Sequence, residues 1–240
     1  MNPGKIRAEV CLSPRLAETY DVRDRIVIIV DILRATSCWV TALSNGAAAI
    51  HPVNTLEECK VLMNHGYMGA AERNGKKVGG FDLGNSPFEY TKEIVGGKGI
   101  AVTTTNGSNA VKSFKSARDI VIGSFLNFSA LMDFIKKASK RVLIACAGWE
   151  GGISLEDVMF AGAFIERSGE DIIPEDDAAV MAFNLWKSAQ PDFRNWLRKS
   201  SHVKRLLKLG LEKDIEYCFN LNLTTMVPRL VGTEIIIPSK

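Results

Sequence analysis

Five consecutive branched apolar residues, Ile26-Val27-Ile28-Ile29-Val30, constrain this chain more than any other feature. The run is far too short to cross a bilayer and carries no polar interruption, so it reads as a buried strand. It ends on a charge, Asp31, and a helical pattern begins within a few residues. Similar apolar runs lie at 48–52, 100–102, 120–122, 142–145 and 234–237. Helically spaced stretches lie at 36–43, 56–65, 109–114, 129–138 and 155–166. This alternation favours a layered α/β/α fold on a largely parallel or mixed sheet. Residues 176–214 read as mostly helical with a break at Pro191, which gives a helical C-terminal region. No linker-like or low-complexity segment divides the chain, so residues 1–240 read as one domain.

A net charge of +3 makes no case for nucleic acid as a partner. The basic stretch NWLRKSSHVKRLLKLGLEKD reads as a solvated helix face, with His202 a surface or packing residue. A nucleic-acid interface would need stacking aromatics beside the charge. Five cysteines, at 11, 38, 59, 146 and 218, are widely spaced, odd in number and free of any CxxC. That pattern argues against a disulfide framework or structural zinc and suits a reducing cytoplasm. The segment MNPGKIRAEV lacks the apolar core of a signal peptide. The expected setting is cytoplasmic, with no membrane and no nucleic-acid partner; homo-oligomerisation is left open.

Three strand-to-helix junctions carry the polar residues. The first runs from IVIIV through Asp31 and Arg34 to Thr36. The second, GIAVTTTNGSNAV, ends its strand in threonines and opens its helix with Asn106, Gly107 and Ser108. The third passes Gly148, Gly151 and Gly152 and reaches Glu156 and Asp157 in a first helical turn. In open α/β sheets ligands bind at the carboxyl ends of the strands, and all three clusters are expected at that edge. The second junction suits an anion, because a helix N-terminus offers free N–H groups and Gly107 permits close approach. On this stretch alone a turn at Asn106-Gly107 with Thr105 or Ser108 as a cap is the favoured reading. Asp31 is a nucleophile, a base, a metal ligand or a cap. Position 33 is Leu, so the two-Asp pattern of phosphatases with an aspartyl nucleophile is not met. Glu156 and Asp157 can offset a helix dipole, as can the acidic group at 175–177. Acids among phosphate-friendly loops also suit Mg²⁺, which is usually held by one or two carboxylates plus substrate phosphate.

The blocks VDILRATS, AERNGKKVGGFDLGNSPFEYT, TTTNGS, ACAGWEGGISLEDVMFAG and SSHVKRLLKLGLEKDIEYC together resemble the 2-phosphosulfolactate phosphatase family, from about residue 6 to about residue 238. The resemblance implies an α/β hydrolase that depends on Mg²⁺. Its reaction removes phosphate from 2-phospho-3-sulfolactate to give 3-sulfolactate, in coenzyme M biosynthesis. The matching blocks bring forward Asp31, Glu156 and Asp157 as catalytic candidates, and Asp31, Glu72 and Asp157 as metal candidates. They also bring forward Arg34, Thr36, Arg73, Asn85, Ser86, Thr104, Thr105, Asn106, Gly107 and Ser108 for the substrate. Such a small phosphorylated substrate is strongly anionic, and Arg34 and Arg73 can supply bidentate contacts to it. The missing second Asp favours direct attack by water over an aspartyl-phosphate. One departure is Cys38-Trp39 in place of small hydroxyl residues, from which a reshaped pocket is expected. The alternatives are a phosphatase for another phosphorylated 2-hydroxy acid, or a non-catalytic anion-binding protein on the same scaffold.

Overall fold

In the computed structural model, which describes residues 4–238, every residue of IVIIV (β2, Ile26–Val30) is buried. The strand pairs in parallel with β7 (Asp119–Gly123) on one side and β8 (Val142–Cys146) on the other. Its side chains alternate between two cores. Ile26, Ile28 and Val30 join one hydrophobic cluster with Phe128, Phe160 and Phe164. Val27 and Ile29 join a second with Trp39, Val40 and Val111. The period of two along the strand thus builds one apolar layer on each face of the sheet. Helices α5 (Phe128–Ala138) and α6 (Leu155–Arg167) cover the first face. Helices α1 (Ala35–Ser44) and α4 (Gly107–Ser113) cover the second.

The sheet has eleven strands in two parallel blocks. One block orders β7, β2, β8, β1 (Ile6–Cys11) and β9 (Ile172–Pro174). The other orders β3 (Ala49–Pro52), β6 (Gly99–Thr103) and β4 (Met68–Arg73), with the short β5 (Lys76–Lys77) antiparallel at its edge. A hairpin of β10 (Arg229–Val231) and β11 (Glu234–Ile236) fills the seam, antiparallel to both blocks. Three antiparallel pairings in a row reverse the strand sense, so the blocks run oppositely. The seam ladder rests on single register pairs, Arg229 with Val121 and Ile235 with Ile50. Twist of about 20–25° per neighbour accumulates over the strands between β6 and β2 and turns their carboxyl ends toward each other. The expected single edge is therefore a convergence of two blocks.

The remaining helices are α2 (Leu56–Asn64), α3 (Lys92–Val95), α7 (Asp177–Ala189), α8 (Phe193–Leu197), α9 (Ser201–Lys208) and α10 (Glu212–Cys218). The last four form the helical C-terminal region, interrupted at Gln190–Asp192 around Pro191. Strands β1, β4, β5, β9 and β10 have no counterpart among the runs expected from sequence. β1 alternates the charged Arg7 and Glu9 with buried residues, and β4 buries Gly69, Ala70 and Ala71, so neither presents a bulky apolar run. Trp39 corrects another expectation. It is fully buried in the second core and lines no part of the cleft described below, so it does not reshape that pocket.

Candidate active site

Asp31 follows β2 directly and is only 7% exposed. Its backbone is fixed locally: the Asp31 N–H donates to Thr36 Oγ1 at 3.0 Å, and Thr36 Oγ1 returns a bond to the Asp31 carbonyl at 3.0 Å. Thr36 is thus occupied at the start of α1. Asp31 Oδ1 accepts the Ala35 N–H at 3.2 Å, whereas Oδ2 accepts no hydrogen bond from the described residues. Burial raises the Asp31 pKa to about 6, against the Ala35 N–H and His202, with Glu156 and Glu72 adding to the rise.

The second junction meets Asp31 through Gly107. A Cβ at position 107 would lie 2.7 Å from Ala35 Cβ and 3.2 Å from both Asp31 Oδ2 and Thr104 Oγ1. Only a glycine lets α4 begin this close to the carboxylate. Thr104 Oγ1 accepts the Ser108 N–H at 3.3 Å, and Ser108 Oγ donates to the Val102 carbonyl at 3.4 Å. Those two hydroxyls therefore serve the turn. Thr104, Thr105 and Asn106 line a cleft together with Asp31, Arg34, Glu72 and Asn85.

The third junction contributes differently. Asp157 is 2% exposed; its Oδ1 accepts the Ile32 N–H at 2.9 Å and its Oδ2 the Gly148 N–H at 3.2 Å. It clamps the loops after β2 and β8 and does not line the cleft. Burial, with Asp31 and Glu156 nearby, holds its pKa well above the usual carboxylate range. Glu156 is completely buried, which by itself would raise its pKa, but the hydrogen bond and charge of His202 hold it below the usual range. His202 Nδ1 lies 2.7 Å from Glu156 Oε1, and Ser200 Oγ donates to Glu156 Oε2 at 3.1 Å. An ionised carboxylate only accepts, so Nδ1 carries the proton and Nε2 is the ring's free atom. The imidazole lies flat on Trp149, with centroids 5.6 Å apart and planes 5° apart, and it lines the cleft.

The two arginines brought forward for the substrate are already engaged. Arg34 is ion-paired with Asp214, whose other oxygen accepts from Ser86 Oγ at 2.9 Å. Arg34 still lines the cleft, but its charge is matched; Ser86 is likewise committed. Arg73 donates to the Glu72 and Thr103 carbonyls at 2.7 and 3.1 Å and to Thr103 Oγ1 at 3.0 Å, outside the cleft lining. Asn85 is 8% exposed, lines the cleft, and its Oδ1 has no partner.

The donor set is specific about a metal. Among the described residues no group of three or more His, Cys, Asp or Glu side chains is arranged as a cage. Asp157 cannot serve without giving up its backbone N–H bonds, a change from its expected role as a ligand. Asp31 offers Oδ2, and Glu72, whose Oε1 accepts the Gly75 N–H, offers its second oxygen to the same cleft. Two carboxylates open to water and phosphate fit Mg²⁺.

His202, Trp149, Arg205 and Asp214 were not singled out from sequence as site residues. Helical spacing places His202, Arg205 and Leu206 on one face of α9. The apolar Leu206, 1% exposed, shows that this face points inward.

Comparison with known proteins agrees along nearly the whole chain. The profile of the 2-phosphosulpholactate phosphatase family matches residues 11–233. A probable 2-phosphosulfolactate phosphatase of Thermotoga petrophila is 42% identical over 217 residues, covering 90% of this chain and 94% of the relative. A protein of the same description from Caldanaerobacter subterraneus is 38% identical over 224 residues, covering 89% and 93%. One from Synechocystis sp. is 34% identical over 233 residues, covering 93% and 96%. A family match over residues 11–233 and relatives this similar over nine-tenths of the chain show that it belongs to the 2-phosphosulpholactate phosphatase family of phosphoric monoester hydrolases.

Proposed function

We propose that this protein hydrolyses the phosphate monoester of 2-phospho-3-sulfolactate to 3-sulfolactate and phosphate with Mg²⁺, a reaction of the coenzyme M biosynthesis type. The observation that carries the proposal is the opening of the His202–Glu156 pair onto the same cleft as the unbonded Asp31 Oδ2. The relatives' descriptions supply the substrate. Five free, buried cysteines support a reducing, cytoplasmic setting.

In this mechanism Asp31 and Glu72 would hold Mg²⁺, which when bound would offset negative charge on the phosphoryl oxygens. Glu156 fixes the His202 tautomer and stabilises the imidazolium that forms, as a buried carboxylate does in other carboxylate–histidine pairs. His202 Nε2 takes a proton from the attacking water. The new O–P bond forms as the ester P–O bond breaks. The proton held at Nε2 returns through solvent to the departing alkoxide, giving the hydroxyl of sulfolactate. Gly107 lets the start of α4 close up against Asp31, which sets Thr104, Thr105 and Asn106 along the cleft beside it.

The test is phosphate release over a panel of phosphorylated 2-hydroxy acids, with Mg²⁺ and with chelator. The expected result is preference for the sulfonated substrate, loss of turnover with chelator and recovery on adding Mg²⁺. No phosphate release from any member of the panel would overturn the enzymatic reading; full release in chelator would overturn the metal.

A further inference from the structure

The cleft lining contains two guanidinium groups, and they differ in one respect. Arg34 is neutralised by Asp214. Arg205 has no carboxylate within ion-pair distance among the described residues, and its side chain makes no hydrogen bond there. Its guanidinium carbon lies 5.6 Å from the centroid of the Trp149 ring. Its terminal nitrogens lie 3.7 and 3.9 Å from where a Cβ at Gly75 would stand. The indole face thus holds the group beside Gly75, and its donors are left free. Asn85, 8% exposed and lining the same cleft, has a side-chain oxygen with no partner.

We infer that Arg205 is the specificity residue of the site and binds an acid group of the substrate that is not transferred, a carboxylate or a sulfonate. The inference rests on the phosphatase reading above. With Asp31 and Glu72 given over to the metal and the transferred phosphoryl group, a second acid group on the substrate needs a partner of its own in a lining that also holds Glu150. Of the two guanidinium groups among the described residues lining the cleft, Arg34 is matched by Asp214 and Arg205 by no carboxylate. A guanidinium binds planar or tetrahedral oxyanions through two N–H groups and is weakly hydrated, so it gives up little on stacking against an indole. A phosphate monoester without further acid groups gains nothing from this contact.

The test uses Arg205→Met, which keeps an apolar stem over Trp149, and Arg205→Lys, which keeps the charge without the fork. Thermal midpoints close to the parent's show that both variants are folded. Turnover is measured with 2-phospho-3-sulfolactate, 2-phospholactate and phenyl phosphate. The expected result for Arg205→Met is that preference for acid-bearing substrate over phenyl phosphate, as a ratio of kcat/KM, falls about thirty-fold or more, mainly through KM. The Lys variant recovers part of it. If the loss extends to 2-phospholactate the bound group is the carboxylate; if it is confined to the sulfonated substrate, the group is the sulfonate. Either supports the assignment. An equal loss on phenyl phosphate, or a ratio within about threefold of the parent's, overturns it. Calorimetry with 3-sulfolactate, which carries no phosphate, separates the two readings. Parent protein that binds it through Arg205 but releases no phosphate from any ester sustains this inference and sinks the phosphatase.

Discussion

The loop after β2 and the first turn of α6 each bury a carboxylate whose pKa is raised, and they use it in opposite ways. Asp157 spends both oxygens on backbone N–H groups of two loops. Asp31 spends one and keeps the other open to the cleft. Burial and a shifted pKa are common to both, so neither tells a structural carboxylate from one left available to a ligand; the unbonded oxygen does. The same distinction sorts the arginines: Arg34 and Arg73 are engaged, and Arg205 is free.

Substitutions can break or sharpen this contrast. Asp31→Asn removes the charge at the open oxygen while an amide can still accept the Ala35 N–H. Turnover is expected to fall by at least about 100-fold, roughly 2.7 kcal/mol in the barrier, with little change in thermal midpoint. Near-parental turnover would mean that Asp31 only caps α1. A phosphoryl group trapped on the parent and absent from this variant would replace water attack with an aspartyl-phosphate. Asp157→Asn should act on the fold instead. One backbone N–H would face an amide NH₂, so chemical denaturation should show a loss of about 1–3 kcal/mol. Turnover should drop less than in Asp31→Asn, and the reverse order would abolish the distinction. The smallest effect is expected for Arg73→Met. Its donors serve Glu72 and Thr103, so KM should change by less than about threefold; a larger rise would place it back on the substrate.

Much of the scaffold was legible in the sequence because buried strands such as IVIIV announce themselves. Asp31 was legible because a charge ending such a strand has few places to go, and Gly107 because a helix rarely opens on glycine without a steric reason. What was not legible depended on remote partners. Arg34 reads as free until Asp214, 180 positions away, is brought to it. Glu156 reads as a helix-dipole residue until His202, 46 positions on, closes against it. His202 and Arg205 belong to a helix whose charge suggests solvent. Their inward orientation follows from the packing of Leu206 and Val203, which a basic composition hides.

The hairpin at the sheet seam has a consequence for how the chain reaches its working form. It is made after every strand it joins. Until residues 229–236 emerge, β3 and β7 present open edges, the kind that template pairing with another chain. Closing the seam brings together segments far apart in sequence, which slows folding. All the residues lining the cleft precede position 207. A nascent chain stalled before the hairpin therefore holds the complete chemistry yet lacks the strands that tie its two halves together. Until the seam closes, the two halves lack the strands that join them, and their open edges are free to pair with other chains.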